Sequence, residues 1–430
     1  MIDLMAKTLN GEHERNIASR TDSSHELLAR HAESDRNHHA PAHARKTGVL
    51  SVVLRSLGLI FLAILLSGTS AAATMYYKLQ ANVQQHQIVR APTKKAKPTI
   101  PIDQKAGQPL NILLLGSDAR PEENEEGVEG MRADTTMLVH ISADRSRVDV
   151  ISIPRDTLVE IPECTLPDGN TTWPQSNAMF NSAFMIGGST GDVGAAASCT
   201  LATAERMSGL TIDGFAVVNF QSFQDVVGSI GGVDMCFAED VHDADAQLNI
   251  SAGCHTLDGA QALAIARARH ALGDGSDLSR IGRQQELVFQ ILKKLFSMNV
   301  FTNTQTFYQV ATGVTKNLDT SEGLGNLPFL GGLAYSLKGL DFENNVNFMT
   351  LPVYNDPHDP NRVRENAQAS ILWEAVKNDK PIPASAIQEA PEQSEVVVRN
   401  RHPKDPTTSS PKETGDSADS TTSESDTPSH

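Results

Sequence analysis

Residues 136–153 read TMLVHISADRSRVDVISI, and two apolar, β-branched runs in this stretch, TMLVHIS and RVDVISI, flank the four residues ADRS. Runs of this composition that are bounded by turn residues predict β-strands. Because four residues are too few for a helical crossover, the two strands are expected to pair antiparallel. This hairpin therefore places at least one antiparallel pair in the central sheet of the domain.

Strand and helix patterns alternate on both sides of this hairpin. Strands mixed with helices in this way predict a three-layer α/β/α sandwich around a mixed central sheet. We place the limits of this domain at residues 108 and 378. The further predicted strands are 111–116, 215–220 and 346–351, and the predicted helices are 198–209, 257–267 and 280–298.

An apolar segment, SLGLIFLAILLSGTSAAATMYY, occupies residues 56–77 and contains no charged residue over 22 positions. A helix of this length crosses the hydrocarbon core of a bilayer. A cleaved signal peptide is the alternative, with residues 71–73 (AAA) as its cleavage site, but the 55 residues that precede the segment are long for such a peptide. We therefore favour an uncleaved transmembrane helix at residues 51–77. The excess of Lys and Arg on its N-terminal side favours a cytoplasmic N-terminus and an extracellular domain.

The remaining segments are polar. Residues 1–50 are His-rich and of mixed charge, and residues 379–430 are rich in Ser, Thr and Pro. Such segments cannot bury enough apolar surface to offset the entropy of ordering, so we predict a disordered cytoplasmic tail and a disordered C-terminal tail. Residues 78–107 include KKAKP and PTIPI, which predict a basic, Pro-bearing extracellular stalk.

The four cysteines all follow the apolar segment, and the N-terminal tail contains none. An even number confined to one side of a membrane helix indicates an exported, oxidising compartment and two disulfide bonds. Four free buried thiols are the alternative. Of the possible pairings, we favour the one that joins cysteines close in sequence: Cys164 with Cys199, and Cys236 with Cys254.

The chain is acidic, with a formal net charge of −16. We expect no nucleic-acid partner, because nucleic-acid phosphates need a basic face. The sequence has no Walker A motif, no H-E-x-x-H motif and no G-x-G-x-x-G motif after a strand. Residues 187–191 (GGSTG) match the short nucleophile-elbow pattern of serine hydrolases, but the downstream histidines have no supporting context. We interpret these residues as a glycine-rich turn.

Four arginines nevertheless gather between residues 267 and 283. A planar guanidinium grips phosphate oxygens through two hydrogen bonds and stays charged, so this cluster predicts a phosphate site. Surface ion pairs with neighbouring carboxylates are the alternative. Asp277 lies where an N-cap would precede the helical part of the cluster. The cluster consists of Arg267 and Arg269 on an extended segment, and of Arg280, Arg283 and Gln284 on one face of a helix.

Three strand termini each carry an Arg and an Asp. The stretches are GSDAR (116–120), RADTT (132–136) and IPRD (153–156), and the first follows its strand at the carboxyl end, where open α/β sheets bind ligands. Carboxylates beside arginines suit a pyrophosphate with Mg²⁺, because magnesium takes one or two carboxylates together with phosphate oxygens. The pairs are Asp118 with Arg120, Arg132 with Asp134, and Arg155 with Asp156.

Seven stretches follow one another between residues 106 and 300: NILLLGSDAR, RADTTMLVHIS, VISIPRDTLVEIP, FNSAFMIGG, FAVVNFQSFQDVVGSIGGVD, LDGAQALAIARAR and DLSRIGRQQ. In order, spacing and residues they resemble the LytR-CpsA-Psr family, and a looser resemblance continues to residue 378. The plan of a short cytoplasmic tail, one membrane span and an exported catalytic domain is also similar, and the cysteines resemble those of actinobacterial members. One departure is Met179, where many members carry a lysine.

The resemblance implies an enzyme that moves a glycopolymer from a polyprenyl-pyrophosphate carrier to a cell-wall acceptor. The implied acceptor is the 6-hydroxyl of muramic acid in peptidoglycan or a surface protein, the implied cofactor is Mg²⁺, and the membrane is a partner. A non-catalytic lipid-pyrophosphate-binding or regulatory protein, or a pyrophosphatase, is the alternative. In the transfer an acceptor hydroxyl would attack the sugar-side phosphorus, and Asp134, Asp156 and Asp277 all remain open as the general base.

The resemblance also implies roles for individual residues. The apolar part of the predicted helix, residues 287–298, has two interpretations, a groove for the polyprenyl tail or ordinary core packing. The implied pyrophosphate-binding residues are Arg120, Arg132, Arg155, Asn181, Arg267, Arg269, Arg280, Arg283 and Gln284; the metal ligands are Asp118 and Asp134; and the catalytic residues are Asp134, Asp156, Arg267, Arg269 and Asp277.

Overall fold

The computed structural model describes residues 49–88, 107–118, 131–243, 246, 248–268, 277–298, 304–316 and 318–387. The chain divides into two units, residues 1–68 and residues 69–430. Two of the predicted site residues, Arg120 and Arg269, lie outside the described residues, and so do residues 1–48 and 388–430 of the predicted tails.

The helices within the described residues are α1 (Val49–Asn82), α2 (Ser182–Gly187), α3 (Val193–Ser208), α4 (Phe220–Ser229), α5 (Gly259–Arg267), α6 (Asp277–Ser297), α7 (Thr304–Thr315), α8 (Leu327–Ser336), α9 (Phe342–Asn345) and α10 (Ala367–Lys377), and a 3₁₀ turn covers Ala384–Ala386. The strands are β1 (Val83–His86), β2 (Leu110–Ser117), β3 (Ala133–Ile141), β4 (Val148–Ser152), β5 (Leu158–Ile161), β6 (Gln175–Met179), β7 (Gly214–Asn219), β8 (Val233–Phe237), β9 (Val241–Asp243), β10 (Leu248–Ile250), β11 (Gly253–Leu257), β12 (Leu318–Ser321), β13 (Val346–Thr350), β14 (Val353–Asn355) and β15 (Val363–Glu365).

The described part of the first unit belongs to α1. The side chains described in this part are exposed and mostly apolar. Within the described residues, Val53–Asn82 is the one helical segment that is long and apolar enough to cross a membrane. It covers residues 53–77 of the predicted span, and the helix continues to Asn82, past the predicted end at Tyr77.

A seven-stranded sheet lies at the centre of the second unit, in the order β1-β12-β7-β2-β3-β4-β13. Antiparallel pairs join β2 to β3, β3 to β4, and β7 to β12. Parallel pairs join β2 to β7, β4 to β13, and β1 to β12. The predicted antiparallel hairpin is confirmed, with Leu138 opposite Ile151. The sheet is therefore mixed, as predicted.

Helices cover both faces of this sheet. Successive side chains of a strand point to opposite faces, so β2 contributes to two cores. Leu113 and Leu115 are fully buried in a cluster with residues of α2, α3 and α10. Leu110, with Ile112 packed against the same cluster, lies among residues of α6 and α8. The fold is the three-layer α/β/α sandwich that the sequence predicted.

The N-terminal boundary of the domain differs from the prediction, which placed a stalk at residues 78–107. Instead, β1 forms an edge of the central sheet, where Val83 pairs with Leu318 of β12. Leu79 at the end of α1 is almost fully buried. The prediction missed β1 because the strand is only the four residues VQQH, which have a single apolar member. A pattern of alternating apolar residues cannot be recognised over such a length.

The C-terminal boundary extends beyond residue 378. One carboxylate oxygen of Asp379 accepts a hydrogen bond from the backbone N–H of Ala143 at 2.9 Å, and the other accepts one from Arg147 at 3.0 Å. Nε2 of the buried His140 also lies 3.1 Å from this carboxylate. Ala386 is fully buried. Part of the segment predicted to be a disordered tail is thus held against the domain by the polar contacts of Asp379 and by the buried Ala386. Isolated contacts of this kind give no periodic pattern in the sequence.

The four cysteines form two disulfide bonds, which are the pairs favoured from the sequence. Cys164 is bonded to Cys199, with a Cα–Cα distance of 5.3 Å. Cys236 is bonded to Cys254, and these two residues are cross-strand partners in β8 and β11. The first bond attaches the β5–β6 connection to α3, and the second closes the β8–β11 pair.

Candidate functional site

Several of the predicted site residues that the structure describes lie together at one edge of the central sheet. Strands β2, β4 and β7 run in the same direction, so their carboxyl ends meet at this edge together with the start of the antiparallel β3. Asp118 follows β2 directly, Asp134 is the second residue of β3, and Arg155 and Asp156 follow β4. Phe220 begins α4 directly after β7. This is the position at which open α/β sheets bind their ligands.

A chain of ion pairs runs along this edge. Nη1 of Arg155 lies 2.9 Å from Oδ1 of Asp134, and Nε of Arg155 lies 3.3 Å from Oδ2 of Asp156. Nη1 of Arg362 lies 3.5 Å from Oδ1 of the same Asp156. Partly exposed pairs of this kind stabilise a fold by only about 0.2–1 kcal/mol each. Their main effect is therefore to fix the orientation of Arg155 and of the two carboxylates.

Asp118, directly after β2, and Arg132, directly before β3, are hydrogen-bonded to each other. Oδ1 of Asp118 accepts a hydrogen bond from the backbone N–H of Arg132 at 3.0 Å, and the backbone N–H of Asp118 donates to the carbonyl oxygen of Arg132 at 3.4 Å. The side chain of Arg132 is exposed. Asp118 is thereby held at the sheet edge, with one carboxylate oxygen engaged by the backbone.

Arg267 ends α5 and rests on an aromatic ring. Its guanidinium carbon lies 4.7 Å from the centroid of the Phe220 ring. A cation over an aromatic face gains about 0.5–1 kcal/mol at an exposed site. Since Arg267 is exposed, the contact leaves its N–H groups accessible while limiting the directions that they can take.

The first turns of α6 form the facing wall. Arg280, Arg283 and Gln284 are each less than 10 % exposed. Nη2 of Arg283 donates to the carbonyl oxygen of Ala268 at 2.6 Å, and Nε2 of Gln284 donates to that of Ala266 at 3.4 Å. These bonds satisfy backbone carbonyls at the C-terminal end of α5, which a helix leaves without intrahelical partners. Arg283 and Gln284 thus join α5 to α6.

A cavity of about 1130 Å³ lies between these walls. One end is polar, and the body is apolar. Helix α6 contributes much of the apolar lining, so its residues both pack in the core and line a cavity. The polar end is lined by Asp118, Asp134, Arg267, Arg280 and Gln284, and the apolar body includes Leu114, Val218, Phe223, Leu263, Leu287, Val288, Ile291, Leu292 and Leu295.

Other predicted residues lie beside the cavity without lining it. Arg155 contacts the lining residue Asp134, and Arg283 donates to the end of α5. The backbone N–H of the buried Asn181 donates to the carbonyl oxygen of Arg155 at 3.1 Å. Asp277 is the first residue of α6 rather than a residue before the helix. Its side chain, like all of Arg120 and Arg269, lies outside what the structure describes.

Three contributors were not identified from the sequence. They are Phe220 beneath Arg267, Arg362 beside Asp156, and Gln285. The buried amide nitrogen of Gln285 lies 2.9 Å from Oγ of Ser152 and 3.0 Å from the carbonyl oxygen of Met349, at the ends of β4 and β13. Gln285 therefore fixes α6 to the sheet edge. The only sequence signal was the repeated Gln in RQQ, of which the second had no assigned role.

The carboxylates at the cavity are compatible with magnesium. Among the described residues, no three or more His, Cys, Asp or Glu side chains are grouped as metal ligands. Asp118 and Asp134 nevertheless line the same cavity. Mg²⁺ keeps several waters and is held by one or two carboxylates plus phosphate oxygens, so a pair of carboxylates meets its requirement when a phosphate is bound.

The sequence model of the LytR_cpsA_psr family matches residues 62–378 of this chain. The chain belongs to the LytR-CpsA-Psr family. Among LytR-CpsA-Psr relatives, LcpB of Corynebacterium glutamicum, a probable cell wall biosynthesis protein, is 31% identical over 254 residues, which are 57% of this chain and 55% of LcpB. TagT of Bacillus subtilis, a polyisoprenyl-teichoic acid–peptidoglycan teichoic acid transferase, is 30% identical over 245 residues, which are 54% of this chain and 69% of TagT.

The chain thus matches little more than half the length of LcpB. Protein gbs0355 from Streptococcus agalactiae has the same fold, with a TM-score of 0.51 and 19% sequence identity, over 69% of this chain and 96% of that one. The family therefore rests on the sequence match, and the solved structure shows a likeness in fold.

Proposed function

We propose that the chain transfers a glycopolymer from a polyprenyl-pyrophosphate carrier to a hydroxyl group of a cell-wall acceptor. The observation that carries this proposal is the cavity of about 1130 Å³ whose polar end is continuous with an apolar body. A molecule with a charged head and a long hydrocarbon tail fits such a cavity. The names of the relatives LcpB and TagT support a role in cell-wall glycopolymer transfer.

The donor would lie with its tail along α6 and its pyrophosphate at the polar end. Leu287, Ile291 and Leu295 line the apolar body at helical spacing and would contact the tail. Burying apolar surface contributes about 0.8 kcal/mol for each CH₂ group. Arg267 and Arg280 line the polar end and would bind the phosphate oxygens. Arg120, Arg132, Arg269 and Asn181 are expected to add to this site.

Asp118 and Asp134 would hold Mg²⁺ beside the pyrophosphate. The ion would neutralise charge on the phosphate oxygens and improve the polyprenyl phosphate as a leaving group. The chain's own residues supply the rest of the chemistry. Arg267 and Arg280 stabilise the negative charge that develops on the oxygens during transfer.

The transfer exchanges the phosphoanhydride bond of the pyrophosphate for a phosphate ester bond to the acceptor. The acceptor hydroxyl oxygen forms a bond to the sugar-side phosphorus, and the bond from this phosphorus to the bridging oxygen breaks. The bridging oxygen leaves as polyprenyl phosphate with the electron pair. The hydroxyl proton passes to a carboxylate, and Asp134 and Asp156 are the two proposed bases whose side chains are described.

The proposal is tested with the full chain in detergent micelles. The donor is a polyprenyl-pyrophosphate-linked N-acetylglucosamine and the acceptor is a soluble N-acetylglucosamine–N-acetylmuramic acid oligosaccharide. Arg267→Ala is compared with Arg206→Ala, an exposed arginine on α3 that is paired with Glu160. We expect transfer to fall at least tenfold in Arg267→Ala alone, as for loss of a charged hydrogen bond. Equal transfer in both variants would show that Arg267 does not bind the pyrophosphate. Release of phosphate without a transfer product would indicate a pyrophosphatase.

We also propose that α1 spans the membrane with the N-terminus in the cytoplasm. The apolar segment Val53–Asn82 and the two disulfide bonds on its C-terminal side support this topology. Alkaline phosphatase, which folds only where disulfides form, is fused after His430, and a fluorescent protein that needs the cytoplasm is fused there in a second strain. We expect phosphatase activity and no fluorescence. The opposite pattern would reverse the topology.

A further inference from the structure

A second, smaller pocket of about 430 Å³ lies beside the first cavity. It is lined by residues at the end of β6 and in the loop between β14 and β15, and no binding role was predicted from the sequence for the residues of this loop. Seven of its ten lining residues are polar or charged, and Met179 is one of the three apolar residues. The polar residues that line it are Asn177, Ser182, Asp356, His358, Arg362 and Arg364 together with Asp359.

The two cavities are connected by the ion-pair chain. Arg362 lines the smaller pocket, and its Nη1 lies 3.5 Å from Oδ1 of Asp156. Asp156 in turn contacts Arg155, which contacts Asp134 at the polar end of the larger cavity. The smaller pocket is therefore linked to the polar end of the larger cavity through Asp156 and Arg155.

Most polar groups of the smaller pocket are paired with one another. Nε of Arg364 donates to Oδ2 of Asp356 at 2.6 Å, and its Nη2 donates to Oδ1 of Asn177 at 2.5 Å. Oδ1 of Asp356 accepts from the backbone N–H of His358 at 2.7 Å. These bonds lower the pKa of Asp356, first through the backbone of His358 and then through Arg364, so the carboxylate is ionised. The pocket thus presents a nearly neutral, fixed array of donors and acceptors.

Such an array suits an uncharged polyhydroxylated ligand better than a phosphate. A guanidinium that is already paired with a carboxylate has little net attraction for an anion, but its remaining N–H groups and the carboxylate lone pairs can bond to hydroxyls. The volume falls in the range of small-molecule sites. A folded protein acceptor would instead require an extended surface of roughly 800 Å².

We propose that this pocket is the acceptor subsite and that it binds a saccharide ring of the acceptor. This inference rests on the proposed transferase function. The saccharide hydroxyl is directed past Arg362 toward the sugar-side phosphorus, and its proton passes to Asp156 as the new oxygen–phosphorus bond forms. Polyprenyl phosphate leaves into the apolar cavity with the electron pair of the broken bond.

The test separates acceptor binding from donor binding in the full chain. His358→Ala removes a side chain that is 92% exposed and so does not disturb the core. Asn177→Gly removes the acceptor of Arg364 without backbone strain, because Asn177 has φ of 57° and glycine adopts this conformation freely. His242→Ala is the matched control, since His242 is exposed on β9 and lines neither pocket.

We expect the KM for the N-acetylglucosamine–N-acetylmuramic acid oligosaccharide to rise about tenfold in both pocket variants, as for loss of one hydrogen bond. The KM for the lipid-linked donor stays at the wild-type value, and the His242→Ala variant is unchanged in both constants. An unchanged acceptor KM in both pocket variants, while the wild type transfers normally, would overturn the acceptor subsite and leave the transferase function intact.

Absence of transfer in the wild type would instead count against the proposed function. The subsite is then decided by direct binding of the same oligosaccharide, observed through saturation-transfer NMR of the sugar protons. Binding by the wild type that is weakened in His358→Ala and Asn177→Gly supports a saccharide site. The saccharide site is overturned if the wild type does not bind the oligosaccharide, or if both variants bind it as well as the wild type does.

Discussion

Nη1 of Arg155 lies 2.9 Å from Oδ1 of Asp134, which links the end of β4 to the start of β3 at the polar end of the larger cavity. The same guanidinium contacts Asp156 through Nε. One planar group therefore orients two carboxylates, and this requires a fork of N–H donors rather than a point charge.

Replacing Arg155 by lysine tests this relationship. Arg155→Lys keeps the charge, but an ammonium group cannot hold both carboxylates in the same geometry. We expect the kcat of transfer to fall at least tenfold, as misplaced catalytic groups cost one or more orders of magnitude, while the donor Kd changes little. The control is Arg206→Lys, at an exposed pair with Glu160. A normal kcat in Arg155→Lys would contradict the orienting role.

Substituting the three acidic residues separates metal binding from proton transfer. Asp118→Asn and Asp134→Asn each remove a proposed ligand, so we expect weaker divalent-ion affinity in the donor complex. Asp156→Asn leaves both ligands in place, and we expect normal ion affinity with a kcat reduced by at least 10²-fold, as for loss of a general base. Mn²⁺ titration followed by electron paramagnetic resonance measures the affinity. If Mn²⁺ binding were weakened in Asp156→Asn alone, Asp156 would be the metal ligand, and Asp118 and Asp134 would not be.

Filling the apolar body of the cavity tests the lipid site. Leu292 lines it from α6, and Leu292→Trp adds an indole where the tail would lie. We expect the KM for a long-chain polyprenyl donor to rise at least tenfold, since several buried CH₂ groups lose their contacts. The KM for a donor with a single short isoprenoid chain should change less. If chain length made no difference to the effect of the substitution, the tail would bind elsewhere.

Gln285 should contribute mainly to stability and position. Its amide nitrogen lies within hydrogen-bond distance of Ser152, Met349 and Thr350. Gln285→Leu leaves buried polar groups without their partner, and we expect a loss of about 1–3 kcal/mol in the free energy of unfolding. Gln290→Leu, which removes only a bond to Glu286 on the same helix, is the control. Chemical denaturation measures the free energy of unfolding of both variants. Equal values for the two variants would show that Gln285 does not stabilise the packing of α6 against the sheet.

A pH dependence follows from His86 on β1. Its hydrogen bond to Asp319 at 2.8 Å raises the pKa of His86, against the opposing effect of burial. A pKa raised in the folded state gives a stabilisation that is complete below the unfolded pKa of about 6.5 and is lost as pH rises through the folded pKa. The Tm difference between wild type and His86→Gln should therefore be larger near pH 5.5 than near pH 8.5. If the Tm difference did not change with pH, protonated His86 would not stabilise the fold through Asp319.

Much of the fold could be predicted because its central strands are apolar and bounded by turns. The hairpin of β3 and β4 was predicted correctly, since ADRS leaves one geometry for the chain. Asp258 accepts a hydrogen bond from the backbone N–H of Gln261 and caps α5, at the start of a predicted helix. Short polar elements such as β1 gave no comparable signal, because their pairing depends on partners far along the chain.

The sequence indicated which residue types form the site, but it did not indicate which residues contact one another. Helical spacing places Arg280 and Arg283 on one face, yet only Arg280 lines the cavity, whereas Arg283 bonds to the end of α5. Spacing describes one helix and does not reveal what packs against each residue. Gln285 was missed for the same reason, since Ser152 and Met349 are 133 and 64 residues away from it in sequence.

The position of β1 has a consequence for release of the domain by proteolysis. A cut between residues 88 and 107 would break the chain after β1, but β1 would remain paired with β12 through four residue positions. The nicked protein would therefore keep its sheet intact instead of shedding a soluble fragment. Recombinant fragments that begin near residue 106 would lack β1 altogether and would expose β12 as an unpaired edge, which favours self-association.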